Sequence, residues 1–295
     1  MSQAVADKGA GLPAGATSLM GDWLESKDDP EAAWDLGRAI RTELEGAADG
    51  HGDGAGLARQ ILDYGEMFGK KSVWAVGGDG WAYDIGYGGL DEVVASGENL
   101  NVLVLDTEGY SNTGGEMSKA TQMGAVTGFT YDGKGTPKKD LGTMLMQYGY
   151  VYVAHVCLSG DMQQLIDVMW EADAYDGPSV VIALCPCISW GIEEGMGSVT
   201  GIMREAVETG YWPLWHFDPR LAEQGGDPFV LDSAAPSKPM GPFLAKMRRY
   251  ASLADRDPKM SARLQSELAK DSDAVYRRLN ALVEVYGPEK GGAGE

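Results

Sequence analysis

Residues 73–116 read VWAVGGDGWAYDIGYGGLDEVVASGENLNVLVLDTEGYSNTGGE. Two short apolar runs, Val73 to Val76 and Val102 to Leu105, each end at a polar, glycine-rich turn, and the residues between them suit a helix. That is the pattern of a βαβ unit. Because such crossovers are almost always right-handed and join parallel strands, both turns, Gly77-Gly78-Asp79-Gly80 and Asp106 to Gly115, are expected at the same carboxyl edge of one sheet.

Working outward, the α/β rhythm continues. Lys139 to Tyr148 and Met162 to Ala174 read as helices, Val151 to Cys157 and Ser179 to Cys185 as strands. Strands rich in Val, Leu and Ile with little polar alternation belong to a sheet covered on both faces, so the expected fold class is α/β, a doubly wound parallel sheet. Upstream, residues 1–18 have little periodicity and read as a loosely ordered lead-in. Asp29 to Glu45 is an amphipathic helix with Pro30 in its first turn, Gly46 to Gly56 a flexible loop, and Ala55 to Phe68 a further helix. Downstream, Met203 to Glu208 ends a helix, and Tyr211 to Asp232 is an aromatic, proline-interrupted stretch. Gly241 to Leu253 and Met260 to Val285 are helical by period, and 288–295 read as a frayed tail. The expected organisation is a mainly helical segment over 1–70, an α/β domain over 71–235 and a helical segment over 236–295.

Composition narrows the function classes. In 295 residues a formal charge of −20 with no extended Lys/Arg cluster argues against a nucleic-acid or anionic-membrane surface. No apolar run is long enough to span a bilayer, and the start lacks a secretory pattern. Cys157, Cys185 and Cys187 form neither a disulfide framework nor a CxxC pair, which suits a reducing cytoplasm.

The two turns carry the chemistry. Gly77, Gly78 and Gly80 let backbone N–H groups approach a diphosphate without a Cβ in the way. Asp79 among them would repel phosphate unless a divalent cation lies between, and Mg²⁺ accepts one or two protein carboxylates together with phosphate oxygens. The second turn offers the Thr107 hydroxyl, backbone carbonyls near Gly109 and the Asn112 amide. Asp106 competes as a ligand, although an Asp at a strand end usually caps a turn. The sequence also holds its own decoy: His51-Gly52-Asp53-Gly54 repeats the GDG string with no strand before it. His155 in a strand, His216 in an aromatic segment, and Trp212, Trp215 and Phe217 read as packing residues, as do the cysteines at the end of the last strand.

The GDG at Gly78-Asp79-Gly80 followed by Asn112 resembles the diphosphate motif of thiamine diphosphate enzymes. The strings GGDGWAYDIGYGGLDEVVASG, NVLVLDTEGYSNTGGE, YGYVYVA, GPSVVIA and GYWPLWHFDPRLAEQG resemble the carboxy-terminal domain of pyruvate:ferredoxin (flavodoxin) oxidoreductase. The resemblance implies the thiamine-diphosphate-binding fold over 71–235. It also implies Asp79, the Thr107 hydroxyl and the Gly109 carbonyl as Mg²⁺ ligands. A cofactor site would be lined by Gly78, Asp79, Gly80, Trp81, Thr107, Glu108, Gly109, Tyr110, Ser111 and Asn112, with Asn112 in the catalytic position. Cys187 matches a ligand position of a [4Fe–4S] cluster, whose remaining ligands must come from elsewhere.

The implied activity is oxidative decarboxylation of pyruvate or another 2-oxoacid to the acyl-coenzyme A, with electrons passed through iron–sulfur clusters to ferredoxin or flavodoxin. The upstream cysteines and the pyrimidine-binding domain of the family have no counterpart here, so the sequence resembles the final quarter of a longer polypeptide and a partner chain is expected to supply them. Two alternatives stand beside this: a catalytically incompetent remnant or interaction module, and a non-redox thiamine-diphosphate lyase. Local departures from the family are Gly109 for a larger apolar residue, Glu116 for glutamine, Gln122-Met123 for Thr-Pro, and Ser189-Trp190.

Overall fold

The computed structural model describes residues 11–287, so the frayed tail expected at 288–295 and the first ten residues of the lead-in lie outside the described residues. Internal contacts divide the chain into two units, one up to Ser72 and one from Val73 onward.

The first unit is helical: α1 (Ala14–Ser26), α2 (Pro30–Ala48) and α3 (Asp53–Asp63), followed by a 3₁₀ turn at Gly65–Phe68. Asp29 caps α2 by accepting from the Glu31 and Ala32 amides, and Pro30 occupies the first helical position, where a missing N–H costs nothing. Ile40 and Leu44 from α2 join Ala16 and Met20 from α1 and Ile61 from α3 in one apolar core. Two expectations are corrected here. The lead-in is helical from Ala14 because Ala16 and Met20 have a core to enter. The expected Gly46–Gly56 loop shrinks to residues 49–52, since Ala48 is buried and extends α2 while α3 begins at Asp53.

The second unit is a six-stranded sheet. In chain order it comprises β1 (Trp74–Gly78), a π-helical turn (Gly80–Ile85), α4 (Tyr87–Ala95), β2 (Asn101–Asp106), α5 (Leu141–Met146), β3 (Tyr152–Val156), α6 (Met162–Ala174) and β4 (Ser179–Leu184). There follow α7 (Val199–Glu208), β5 (Trp215–Phe217), α8 (Pro219–Glu223), β6 (Phe229–Leu231), α9 (Met240–Ala245), α10 (Arg248–Arg256) and α11 (Pro258–Tyr286). The strand order is β1-β2-β4-β3-β5-β6. The first four strands are parallel, whereas β5 runs antiparallel to β3 and β6 antiparallel to β5. The architecture is therefore α/β with a mostly parallel sheet. The two antiparallel strands arise inside the aromatic stretch 211–232, where Trp215, Phe217 and Phe229 bury their rings and so hold strands only three residues long.

Helices cover both faces. On one, Val168 and Ala172 of α6 pack on Tyr152, Ala154, Val156 and Val181. The other carries the main core, to which α11 adds Leu264, Leu268 and Leu279. Among the described residues no helix is long and apolar enough to cross a membrane.

Register positions the site. Gly78 pairs with Leu105 and Asp106 with Leu184, so the carboxyl ends of the adjacent strands β1, β2 and β4 deliver Gly78-Asp79, Asp106-Thr107 and Cys185-Pro186-Cys187 to one edge. This is the edge at which parallel α/β sheets bind ligands.

His155 on β3 stacks on Trp212 at 3.9 Å between ring centroids, and its Nδ1 lies 2.6 Å from the Pro213 carbonyl. Enclosure by these groups pushes its pKa down to about 3, despite the carbonyl. An unfolded histidine takes up its proton near pH 6.5, the folded one only near pH 3, so the unfolded state binds more protons between those values. Stability should therefore fall as pH is lowered through that window, by up to about 1.4 kcal/mol per pH unit. Urea titrations at pH 7 and pH 5 should show a smaller acid loss for His155→Gln than for wild type. Equal losses would refute the assignment.

Candidate functional site

The site begins where β1 and β2 end. Asp79 is 1% exposed, and its two carboxylate oxygens have different company. Oδ1 accepts from the Thr107 amide at 3.1 Å and lies 2.8 Å from the Thr107 hydroxyl, while Oδ2 accepts from the Ser118 hydroxyl at 2.5 Å. The Thr107 hydroxyl is also 2.9 Å from the Gly109 carbonyl and accepts from Ser111 Oγ at 2.7 Å. One hydroxyl proton thus faces two acceptors, a carboxylate and a carbonyl. Asp79 Oδ1 and the Gly109 carbonyl each lie within hydrogen-bond distance of the Thr107 hydroxyl, and oxygens of this kind are the donors that a hard divalent cation such as Mg²⁺ takes.

The glycines divide their work. A Cβ on Gly77 would stand 2.3 Å from the Trp81 ring, and one on Gly80 would stand 2.4 Å from the Tyr110 ring, so these two make room for side chains of the turns themselves. Gly78 is different, because a Cβ there would meet nothing within 4 Å.

The second turn is built from within. Asp106 Oδ1 accepts from the Glu108 amide at 3.0 Å, and Glu108 adopts a φ of 56°, a left-handed conformation that non-glycine residues rarely take. The Tyr110 and Glu116 backbones then bridge, Gly114 and Gly115 also have positive φ, and Ser111 to Thr113 form a 3₁₀ turn that leaves Ser111 and Asn112 exposed at the rim. Thr113 donates to the Glu116 carboxylate.

Beneath the turn lies a buried charge network that sequence reading did not find. Lys138 Nζ reaches Asp106 Oδ2 at 2.7 Å and Glu108 Oε1 at 3.3 Å. Arg249 donates to Glu108 Oε2 at 2.6 Å, Tyr211 donates to the same oxygen, and Tyr83 donates to Asp106 at 2.7 Å. Burial raises the Asp106 pKa to about 6, with Lys138 opposing the rise. Burial acts in the same direction on Glu108, but Lys138 and Arg249 outweigh it and hold that carboxyl below its ordinary value. Asp106 is thereby occupied as a structural residue, and the Glu108 carboxylate is committed to cations of the interior. Of Glu108, the backbone is what borders the turn. Ser118, Lys138 and Arg249 carried no local signal, because their partners stand 39, 30 and 141 residues away.

Cys187 follows β4. Its sulfur accepts from the Ser189 amide at 3.3 Å and lies 3.1 Å from Ser189 Oγ. Burial would raise its pKa, yet hydrogen bonds from Ser111 and Ser189, with Arg249 nearby, bring it below the ordinary thiol value. The thiol therefore neighbours the rim of the second turn. Burial raises Cys185 instead, and pushes Cys157 up to about 11. Among the described residues no three His, Cys, Asp or Glu side chains group as metal ligands, so these residues alone do not fit a four-iron cluster. His216 pairs with Asp232 at 3.0 Å, and Trp212, Trp215 and Phe217 are buried packing residues.

Residues 48–183 match the family described as thiamine pyrophosphate enzyme, C-terminal TPP binding domain. The chain is 47% identical over 266 residues to a pyruvate:ferredoxin oxidoreductase of Moorella thermoacetica, covering 89% of the chain and 22% of that protein. It is 44% identical to a pyruvate-flavodoxin oxidoreductase of Klebsiella pneumoniae, with the same coverages, and 42% identical to a mitochondrial pyruvate dehydrogenase [NADP(+)] of Euglena gracilis, covering 92% of the chain and 15% of that protein. The chain thus spans 15% to 22% of the length of these relatives.

Proposed function

Since the chain belongs with the carboxy-terminal thiamine-diphosphate-binding domains of the pyruvate:ferredoxin (flavodoxin) oxidoreductases, we propose that it supplies the diphosphate and Mg²⁺ half of such a site. The observation that carries this reading is that the Thr107 hydroxyl links Asp79 Oδ1 and the Gly109 carbonyl at the ends of β1 and β2, where Gly78 leaves room for a Cβ.

In this proposal Asp79, Thr107 and Gly109 would hold the cation, and the residues 78–81 and 107–112 would line a thiamine diphosphate, with the exposed Asn112 as its catalytic residue. When bound, thiamine diphosphate supplies an electron sink for decarboxylation of a 2-oxoacid. The residues of this chain bind and orient: Ser118 holds Asp79 in its rotamer, and the left-handed Glu108 turns the Gly109 carbonyl towards the hydroxyl of Thr107.

The relatives are named for pyruvate and for ferredoxin or flavodoxin, and we carry those names here as substrate and electron acceptor, with coenzyme A as acyl acceptor. A partner chain or domain would provide the pyrimidine half of the site and the remaining ligands of any [4Fe–4S] cluster at Cys187. Three free cysteines suit a cytoplasmic setting.

Isothermal calorimetry of the full chain tests the cofactor reading directly. Thiamine diphosphate is expected to bind with Mg²⁺ present and to be released by a chelator, more tightly when the partner is added. Absence of heat with and without the partner would sink it.

A further inference from the structure

The turn that carries Thr107 and Gly109 is gripped from one side by residues far away in sequence. Trp190 is 1% exposed, and its indole N–H donates to the Thr107 carbonyl at 2.8 Å. The Arg249 guanidinium lies 3.5 Å from the centre of the Trp190 ring, and the same guanidinium donates to the carboxylate of Glu108, the next residue of the turn. The Glu108 carbonyl accepts from Thr121 Oγ1 at 2.8 Å. Two successive peptide planes, 107–108 and 108–109, are therefore each held by a side chain, and they immediately precede the Gly109 carbonyl. Trp190 itself ends a 3₁₀ turn, Ile188–Trp190, whose preceding residue is Cys187.

We infer that Trp190, backed by Arg249, is a positioning residue that orders the 107–109 turn so that its hydroxyl and carbonyl oxygens face the cation, and that it ties the Cys187 segment to that turn. The inference rests on the cofactor reading above for the identity of the cation, but its structural half does not. A partly buried carbonyl deprived of its donor loses a hydrogen bond, so without the indole N–H the 107–108 peptide is free to turn in search of another partner. Groups that orient metal ligands from behind typically change metal affinity by about 10 to 100-fold when removed.

Trp190→Phe separates this role from mere packing, because it keeps a ring under Arg249 and deletes only the donor. Trp212→Phe is the matched control, since it removes another buried indole hydrogen bond, to the Val156 carbonyl at 3.0 Å. In the full chain without ligands, hydrogen–deuterium exchange across residues 107–116 should rise about tenfold in Trp190→Phe, and stay at the wild-type rate in Trp212→Phe. Titration of Mn²⁺ with thiamine diphosphate, read by electron paramagnetic resonance, should show Mn²⁺ affinity about tenfold weaker for Trp190→Phe alone.

Wild-type exchange in Trp190→Phe would overturn the inference. So would equal loosening in both variants, which marks general core damage, or a loosened turn with unchanged Mn²⁺ affinity. A wild-type chain that binds no Mn²⁺ with thiamine diphosphate, alone or with its partner, would instead overturn the cofactor reading, and the exchange comparison would then decide the ordering role by itself.

Discussion

Asp79→Asn should abolish Mg²⁺-dependent binding of thiamine diphosphate, with at least about a hundredfold loss of affinity, while the protein stays folded. Asparagine has the shape of aspartate, so the packing around this buried position survives. Its amide oxygen can still accept from the Thr107 amide, as Oδ1 does. Its NH₂ group would face Ser118, whose hydroxyl now donates to Oδ2 and can rotate to accept. What disappears is the negative charge, and among the described residues the other two carboxylates at the start of the second turn are committed elsewhere: Asp106 is occupied by Lys138 and Tyr83, and Glu108 by Lys138, Arg249 and Tyr211. Calorimetry against thiamine diphosphate and Mg²⁺, with a thermal melt as the folding control, reads both halves. Wild-type affinity in a folded Asp79→Asn protein would remove Asp79 from the cation site.

Arg249→Ala should destabilise the second unit by about 3–5 kcal/mol, the loss typical of breaking a buried ion pair by removing one partner. Arg249 is 5% exposed and Glu108 1%, so water cannot easily replace the missing guanidinium. Lys138 would remain as a cation near Glu108, but it is 3.3 Å from the other carboxylate oxygen and is shared with Asp106. The oxygen facing Arg249 would keep only Tyr211 as a donor. The Trp190 ring would also lose the cation stacked on it. Urea denaturation should place the midpoint well below wild type. Adding Glu108→Gln should recover part of the loss, because the uncompensated charge then goes as well. A loss below about 1 kcal/mol for the single variant would show that the pair is not a major support.

The parts of this protein that were legible in its sequence are those whose cause is local. Val73 to Val76 and Val102 to Leu105 are runs of β-formers stopped by glycine and aspartate, and they became β1 and β2 with the expected parallel pairing. The consequence of that pairing, Asp79 meeting Thr107 at one edge, could be anticipated because parallel neighbours must end on the same side. By contrast, β5 and β6 have three residues each and a composition that fits packing aromatics equally well, so their strand character appears only when a neighbouring strand offers free hydrogen-bonding groups. The Gly46–Gly56 stretch misled in the opposite direction. Its glycines suggested a loop, but burial of Ala48 outweighed their entropy.

By itself the sequence determined the α/β alternation, the two glycine-rich turns and their shared edge, since hydrophobic runs, turn residues and the handedness of crossovers act over short distances along the chain. Only the tertiary structure decided how the second turn is held. The Glu108 side chain meets Arg249 across 141 residues, and the Trp190 indole meets the Thr107 carbonyl across 83. No periodicity or spacing encodes such pairs. They exist because folding buries a carboxylate and partly buries a carbonyl that then require partners, and the folded topology places an arginine and a tryptophan there.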